Sequence, residues 1–285
     1  MDLKKEIAVI EKTDERYPSQ WKDLSDAPER LYALGDADLL KEKRILTIVG
    51  SRQTPVNALK LTKQIARTLS EVCVIATGTA LGGDSATIEG AMDGKGKVIC
   101  LLAGGLNHIP QNNLPLIKEV AKRGLVLALH SPETPVREFS YDYRNKFLAK
   151  LSVATLIVGA PEKSGTRITA DYAKSFGKKI FAFPYFAGTY AGEGCNALIK
   201  QGAVLTDGAE VVQNELGWER AEKIETPMTA DEKTLYESLK ISGEEHISAL
   251  CQRTGMPIFK VRAILSSLEI KGLAVAVGGN RYAPL

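Results

Sequence analysis

The sequence predicts an α/β protein: a Rossmann-like, doubly wound, mostly parallel sheet with a small C-terminal winged-helix domain. Three observations predict it. Between about residues 45 and 206, short and continuously apolar runs alternate with helix-like segments, the pattern of strands covered on both faces and joined by crossover helices. Two of the runs lead into small-residue turns, Gly50-Ser51-Arg52 and Ser164-Gly165-Thr166. After residue 229 a helix-turn-helix periodicity is followed by a hairpin pattern.

Taken in order, the strands are expected at Ile45 to Val49, Val72 to Ala76, Val98 to Leu102, Leu125 to Leu129, Thr155 to Val158, Ile180 to Phe183 and Ala203 to Thr206. Helices are expected between them at Leu59 to Leu69, Leu114 to Arg123 and Thr169 to Phe176. Residues 1–213 form the large domain, with 1–44 as a lead-in. The acidic stretch 214–228, closed by Pro227, reads as a linker. Residues 229–285 form the winged helix: Ile247 and Leu250, the turn Thr254-Gly255-Met256-Pro257, then Val261, Ile264, Leu265 and Leu268, and a hairpin turning at Gly278-Gly279-Asn280. Its second helix offers Lys260, Arg262 and Lys271 against Glu269, which suits either DNA reading or protein docking.

Composition narrows the chemistry. The chain of 285 residues has a net charge of +3, but residues 50–203 hold 19 Lys and Arg against 11 Asp and Glu. A basic excess on the segment with the small-residue turns is an electrostatic footprint for nucleic acid, although solvated surface lysines give a similar count. The four cysteines, Cys73, Cys100, Cys195 and Cys251, are scattered, as suits buried free thiols in a reducing cytoplasm. The three histidines show no metal-site spacing. No leader or membrane span is read, so the expected place is the cytoplasm, with no cofactor.

The two turns carry the functional signal. A helix N-terminus leaves backbone N–H groups without intrahelical partners and has partial positive charge, so Ser164, Gly165 and Thr166 can offer an anion amides and hydroxyls. Gly50, Ser51 and Arg52 repeat the design, with a guanidinium fork that grips phosphate. Gly and Ser also punctuate strand ends where nothing binds. In a doubly wound sheet, however, ligands sit outside the carboxyl ends of the strands, where both turns fall.

The ordered motifs resemble the DprA (Smf) family of bacterial DNA-processing proteins over nearly the whole chain. They are Tyr17-Pro18, Leu24, Pro28, Leu31-Tyr32 and Gly35; Val49-Gly50-Ser51-Arg52; Gly78, Ala80, Gly82 and Asp84; Arg144-Asn145; Leu151-Ser152; Ser164-Gly165; Thr169-Ala170; Ala182 and Pro184; and Gly194, Asn196, Leu198-Ile199 and Gly202-Ala203. The resemblance implies a dimeric cytoplasmic protein, not an enzyme, that binds single-stranded DNA and helps load a RecA-type recombinase in natural transformation. The chain departs from the family pattern at Gly83, Thr87, Ile88, Gly159 and Tyr185, and has Lys146 where the family has Arg.

The residues expected to bind nucleic acid are Gly50, Ser51, Arg52, Gly78, Arg144, Asn145, Lys146, Ser164, Gly165, Thr166, Arg167 and Lys200. Arg52, Lys146, Arg167 and Lys200 would line a basic groove that reads backbone rather than bases. Tyr141, Tyr143, Tyr185 and Phe186 are candidates to stack bases or to pack the core. Asp84 is expected to cap the next helix or order the glycine-rich turn. The alternative is a small-nucleotide sensor or nucleotide-processing enzyme; related hydrolases of nucleotide phosphoribosyl bonds have a similar signature, but their catalytic Glu position is Thr169 here.

Overall fold

The computed structural model describes residues 7–94, 96–218 and 228–284. The chain divides into two compact units between residues 220 and 221. In chain order the large unit runs β1 (Ala8–Glu11), β2 (Arg30–Gly35), β3 (Ile45–Gly50), α1 (Val56–Leu69), β4 (Val74–Thr77), α2 (Gly83–Asp93), β5 (Val98–Leu102), α3 (Leu114–Arg123), β6 (Leu125–Ala128), α4 (Glu138–Leu151), β7 (Ala154–Gly159), α5 (Gly165–Ser175), β8 (Lys179–Ala182), α6 (Glu193–Lys200), β9 (Val204–Leu205) and α7 (Ala209–Leu216).

The strand order is β1-β2-β6-β5-β4-β3-β7-β8-β9. From β6 to β9 every neighbour is parallel, and the chain leaves β3 first toward β4 and later returns to place β7 on its other side. The strand order therefore reverses between β3 and β7, where Val49 stands opposite Ile157. This is the topological switch point, at which an open α/β sheet forms its ligand crevice.

Side-chain alternation along β3 explains the double winding. Leu46 and Ile48 join the core under α1, α2, α3 and α7, whereas Ile45 and Val49 join the core under α4, α5 and α6. All six residues of β3 are buried.

The lead-in segment supplies more than an approach to the sheet. β1 and β2 form an antiparallel edge, with β2 antiparallel to β6. Between them Trp21 is fully buried, packs edge-on against Phe147 at 5.2 Å, and donates its indole N–H to the Phe147 carbonyl at 3.0 Å. Such a ring pair contributes about 0.5–1.5 kcal/mol beyond its buried area and anchors the segment to α4.

At the other end of the unit, residues 214–216 of the expected linker complete α7, and Gly217 in the left-handed region (φ 62) ends it. Trp218 is buried, and its N–H bonds to the Gln213 carbonyl at 2.8 Å. The remaining positions of that linker, 219–227, lie outside the described residues.

The small unit comprises α8 (Ala230–Ser242), β10 (Glu245–His246), α9 (Ile247–Thr254), α10 (Ile258–Ile270), β11 (Ala274–Gly278) and β12 (Arg281–Pro284), with sheet order β10-β12-β11. Gly278, Gly279 and Asn280 all have positive φ and make the wing turn. A capping box between Thr229 and Glu232 starts α8. Leu235, Leu239, Leu250, Val261, Leu265 and Leu268 form its core. No helix among the described residues is long and apolar enough to cross a membrane.

Candidate nucleic-acid interface

A pocket of about 380 Å³ opens at the switch point. One wall is the turn after β3. Ser51 N–H bonds to the Gly159 carbonyl at 2.8 Å, and the Ser51 carbonyl accepts from the Thr54 hydroxyl at 2.8 Å. Locking the turn at both ends leaves Arg52 exposed at the pocket, with no ion-pair partner among the described residues.

The opposite wall is the N-terminus of α5. Ser164 is its N-cap, accepting from Arg167 N–H at 3.3 Å while its hydroxyl donates to the Pro161 carbonyl at 2.9 Å. The first-turn amides of Gly165 and Thr166 have no intrahelical acceptor and line the pocket. Lys163 joins them as an exposed cation. Arg52, Lys163 and a helix N-terminus thus share one concave surface, where charge and dipole both favour an anion.

The floor is a buried ion pair. Asp84, 4% exposed, accepts the Gly50 N–H at 3.3 Å and the Ala80 N–H at 3.2 Å, and its Oδ2 lies 4.0 Å from Arg144 Nη1. Burial pushes the Asp84 carboxyl up, against the pull of Arg144 and the two amides. Burial likewise pulls the Arg144 guanidinium down, against the charge of Asp84; an arginine keeps its proton regardless. Nη1 of Arg144 donates to the Leu101 carbonyl at 3.4 Å, and its Nε has no hydrogen-bond partner among the described residues. Asp84 thus orders the turn that ends β3.

Gly78, an expected contact, does not line the pocket. A Cβ there would lie 1.8 Å from Arg144 Nη1, so the glycine makes room for the guanidinium. Gly83 departs from the family pattern because its backbone lies on that of Gly50: a Cβ at 83 would come 2.3 Å from Gly50 Cα. Gly159 likewise abuts Thr54, whose Oγ1 would be 2.2 Å from an added Cβ. Two further departures are internal, Thr87 donating to the Gly83 carbonyl at 2.8 Å and Ile88 being fully buried.

Of the expected residues, Gly50, Ser51, Arg52, Arg144, Asn145, Ser164, Gly165 and Thr166 meet at this pocket. Asn145 acts as a tie, donating from Nδ2 to the Gly165 carbonyl at 3.1 Å. The other cations do not. Lys146 is held by Asp26 at 2.6 Å; Arg167 turns to Asp171 at 3.2 Å and Gln201 at 3.0 Å; Lys200 sits exposed on α6 outside the pocket. Carboxylates redirect the first two, Asp26 from the lead-in segment for Lys146 and Asp171 one turn along α5 for Arg167. Lys163 was not singled out by sequence reasoning, and its signal was a cation immediately before the Ser164 cap.

The aromatic candidates also separate. Tyr141 lines the pocket at 41% exposure, and Tyr190, which was not among the candidates, joins it there at 59%; Phe186 is exposed outside it. Tyr143 packs on Phe147 at 4.8 Å and donates to the Asp26 carbonyl at 2.7 Å. Tyr185 donates to the Val158 carbonyl and is half-buried. Those two are packing residues.

The sequence matches the family model for DNA recombination-mediator protein A over residues 8–217 and that for the DprA winged helix domain over residues 219–280. It is 36% identical to DNA processing protein DprA of Bacillus subtilis, across 74% of this chain and 71% of that one. Identity to DNA processing protein DprA of Streptococcus pneumoniae is 31%, across 70% and 71%. The S. pneumoniae crystal structure superposes with TM-score 0.70 at 29% identity, covering 75% of each chain. A structure of DNA processing protein A from Helicobacter pylori, described for its single-stranded DNA binding mode, superposes with TM-score 0.67 at 30% identity, covering 74% of this chain and 95% of that one.

Proposed function

This chain belongs to the DNA recombination-mediator protein A (DprA) family, and from that premise we propose that it binds single-stranded DNA without regard to sequence and hands it to a RecA-type recombinase. The observation that carries the reading is the shared surface at the switch point. Arg52 and Lys163, neither with an ion-pair partner among the described residues, and the first-turn amides of Gly165 and Thr166 converge there on one pocket. These groups recognise phosphate oxygens, which every nucleotide presents alike. Tyr141 and Tyr190 at the same pocket give bases a sequence-tolerant stacking surface.

The site residues we assign to the strand are Arg52, Ser51, Gly50, Lys163, Ser164, Gly165 and Thr166, with Arg144 and Asn145 holding the pocket from behind. A nucleotide-processing enzyme is disfavoured by Thr169, which lines the pocket but turns its hydroxyl to the Gly165 carbonyl at 3.4 Å. It supplies no carboxylate, and Asp84 is committed to two amides and Arg144.

Strand binding belongs in this reading to the large unit. In the winged helix Lys260 pairs with Asp231 at 2.7 Å and Lys271 with Glu232 at 2.7 Å, so Arg262 is the exposed cation left of the three expected. Partnership with a recombinase, assembly as a homodimer and action in the cytoplasm follow from the family resemblance. The test is a mobility shift with labelled oligo-dT beside a melting scan with a mononucleotide. A shift by the oligonucleotide supports the proposal, and stabilisation by the mononucleotide with no oligonucleotide shift rejects it.

A further inference from the structure

A second cavity, of about 440 Å³, opens at the opposite end of the sheet. It lies where β3, β7 and β8 begin. Lys43 stands just before β3, Ser152 between α4 and β7, and Lys178 just before β8; all three line it, with Tyr17, Gln20 and Lys41. The strand-binding reading makes no use of this cavity.

Two independent features mark it as a built site. Ser152 is fully buried, yet its Oγ has no hydrogen-bond partner among the described residues. A buried hydroxyl without a partner is costly and calls for an explanation. The second feature is uncompensated charge. Burial, and then the neighbouring charge of Lys150, holds the Lys178 amine below the ordinary lysine range. Neither Lys43, Lys150 nor Lys178 forms an ion pair among the described residues. The cavity's own carboxylates do not answer them: Glu15 is engaged by Lys41 at 3.3 Å, and Glu42 is exposed. Lys150 complements the C-terminal end of α4, but that role accounts for neither the crowded Lys178 nor the idle Ser152 hydroxyl.

We propose that this cavity is a second phosphate site, where Lys43, Lys178 and the Ser152 hydroxyl hold a phosphate of the same strand that occupies the switch-point pocket. The inference rests on the strand-binding reading of that pocket. The two ends of a six-residue strand lie about 20 Å apart, a distance that several nucleotides span. The helices α4 and α5 run between the two sites. Along them Tyr172 and Phe176 stack at 6.2 Å, and Lys150 Nζ sits 4.7 Å over the Phe176 ring. Aromatic faces with interleaved cations suit a sequence-blind strand.

The experiment compares oligo-dT of about 6 and about 30 nucleotides, lengths chosen to fill one site or to reach both, against the full chain and its Lys43→Ala/Lys178→Ala variant over a salt series. The variant is expected to bind the short strand as the wild type does and the long one about tenfold more weakly. Its salt slope for the long strand should shrink by about 0.7 for each phosphate no longer neutralised. Arg52→Ala should weaken both lengths, so failure of the first site and failure of the second read differently. Ser152→Ala should melt no lower than the wild type, because it removes an unsatisfied hydroxyl, while binding the long strand at least about twofold more weakly. Unchanged long-strand affinity and slope in the double variant overturn the proposal. So does stabilisation of the wild type, but not of the double variant, by inorganic phosphate with long-strand binding unaltered, which would assign the cavity to a free anion. A wild type that shifts neither length overturns the strand assignment at both sites.

Discussion

Asp84 and Arg144 oppose each other beneath the switch-point pocket, Oδ2 and Nη1 4.0 Å apart and each side chain 6% exposed. The pair ties the turn after β3, through the Gly50 N–H, to α4. A buried pair of this kind adds little net stability while intact, but removing one partner strands the other charge. Asp84→Ala should therefore destabilise the large unit by about 3–5 kcal/mol. Denaturant titration followed by tryptophan emission reads this unit alone, since Trp21 and Trp218 both lie in it. An unchanged midpoint would show that the turn holds without the carboxylate.

The cations of the region divide by partner. Lys163 faces the pocket, whereas Lys146 and Arg167 are engaged by Asp26 and Asp171. Lys163→Ala should weaken oligo-dT binding by about tenfold and reduce the salt slope by about 0.7. Lys146→Ala and Arg167→Ala should each change affinity by less than about threefold, since their charges are already compensated by a carboxylate. Filter binding of the three variants decides the matter; equal losses in all three would restore a broad groove.

The tyrosines make a parallel contrast. Tyr141→Ala and Tyr190→Ala should each cost about 1–3 kcal/mol of strand affinity and leave the melting temperature unchanged. Tyr143→Ala and Tyr185→Ala should instead destabilise the fold by about 2–4 kcal/mol. Melting scans beside binding isotherms separate the two pairs, and a Tyr143 variant that melts normally would contradict its packing role.

Acid should loosen the winged helix. Hydrogen bonds from Lys271 and Ser267 to Glu232 hold its carboxyl down at about 2, against an ordinary 4.5. A depressed acid contributes stability that is complete above pH 4.5 and is lost as pH falls toward 2. Amide signals of residues 229–284 should therefore broaden or shift over that window in the wild type. Glu232→Gln should be less stable at neutral pH and should show a flatter acid dependence; an identical profile would remove Glu232 from the account.

The parallel sheet was legible because its strands are continuously apolar and its turns are local. Ile45 to Val49 and Thr155 to Val158 announce β3 and β7, and the small residues after them announce the crevice. β1 and β2 were not legible as strands: β1 is a four-residue edge segment, and β2, six residues long and paired on both sides, takes β6, far on in sequence, as one of its neighbours. The inward turn of Arg144 depends on the space left by Gly78, 66 positions earlier, and the capture of Lys146 depends on Asp26. Both are decided by tertiary neighbours and carry no local pattern. Lys163 was overlooked although a helix start is legible just after it: nothing in the sequence tells an exposed lysine that lines a pocket from one that is merely solvated.

The central claim is that Arg52 and the N-terminus of α5 grip one phosphate backbone together. Binding of oligo-dT to the wild type and to Arg52→Ala, measured across a salt series, tests it most directly. The predicted result is a loss of at least about tenfold in affinity with a salt slope smaller by about 0.7 or more. Equal affinity and equal slope in the two proteins would contradict it.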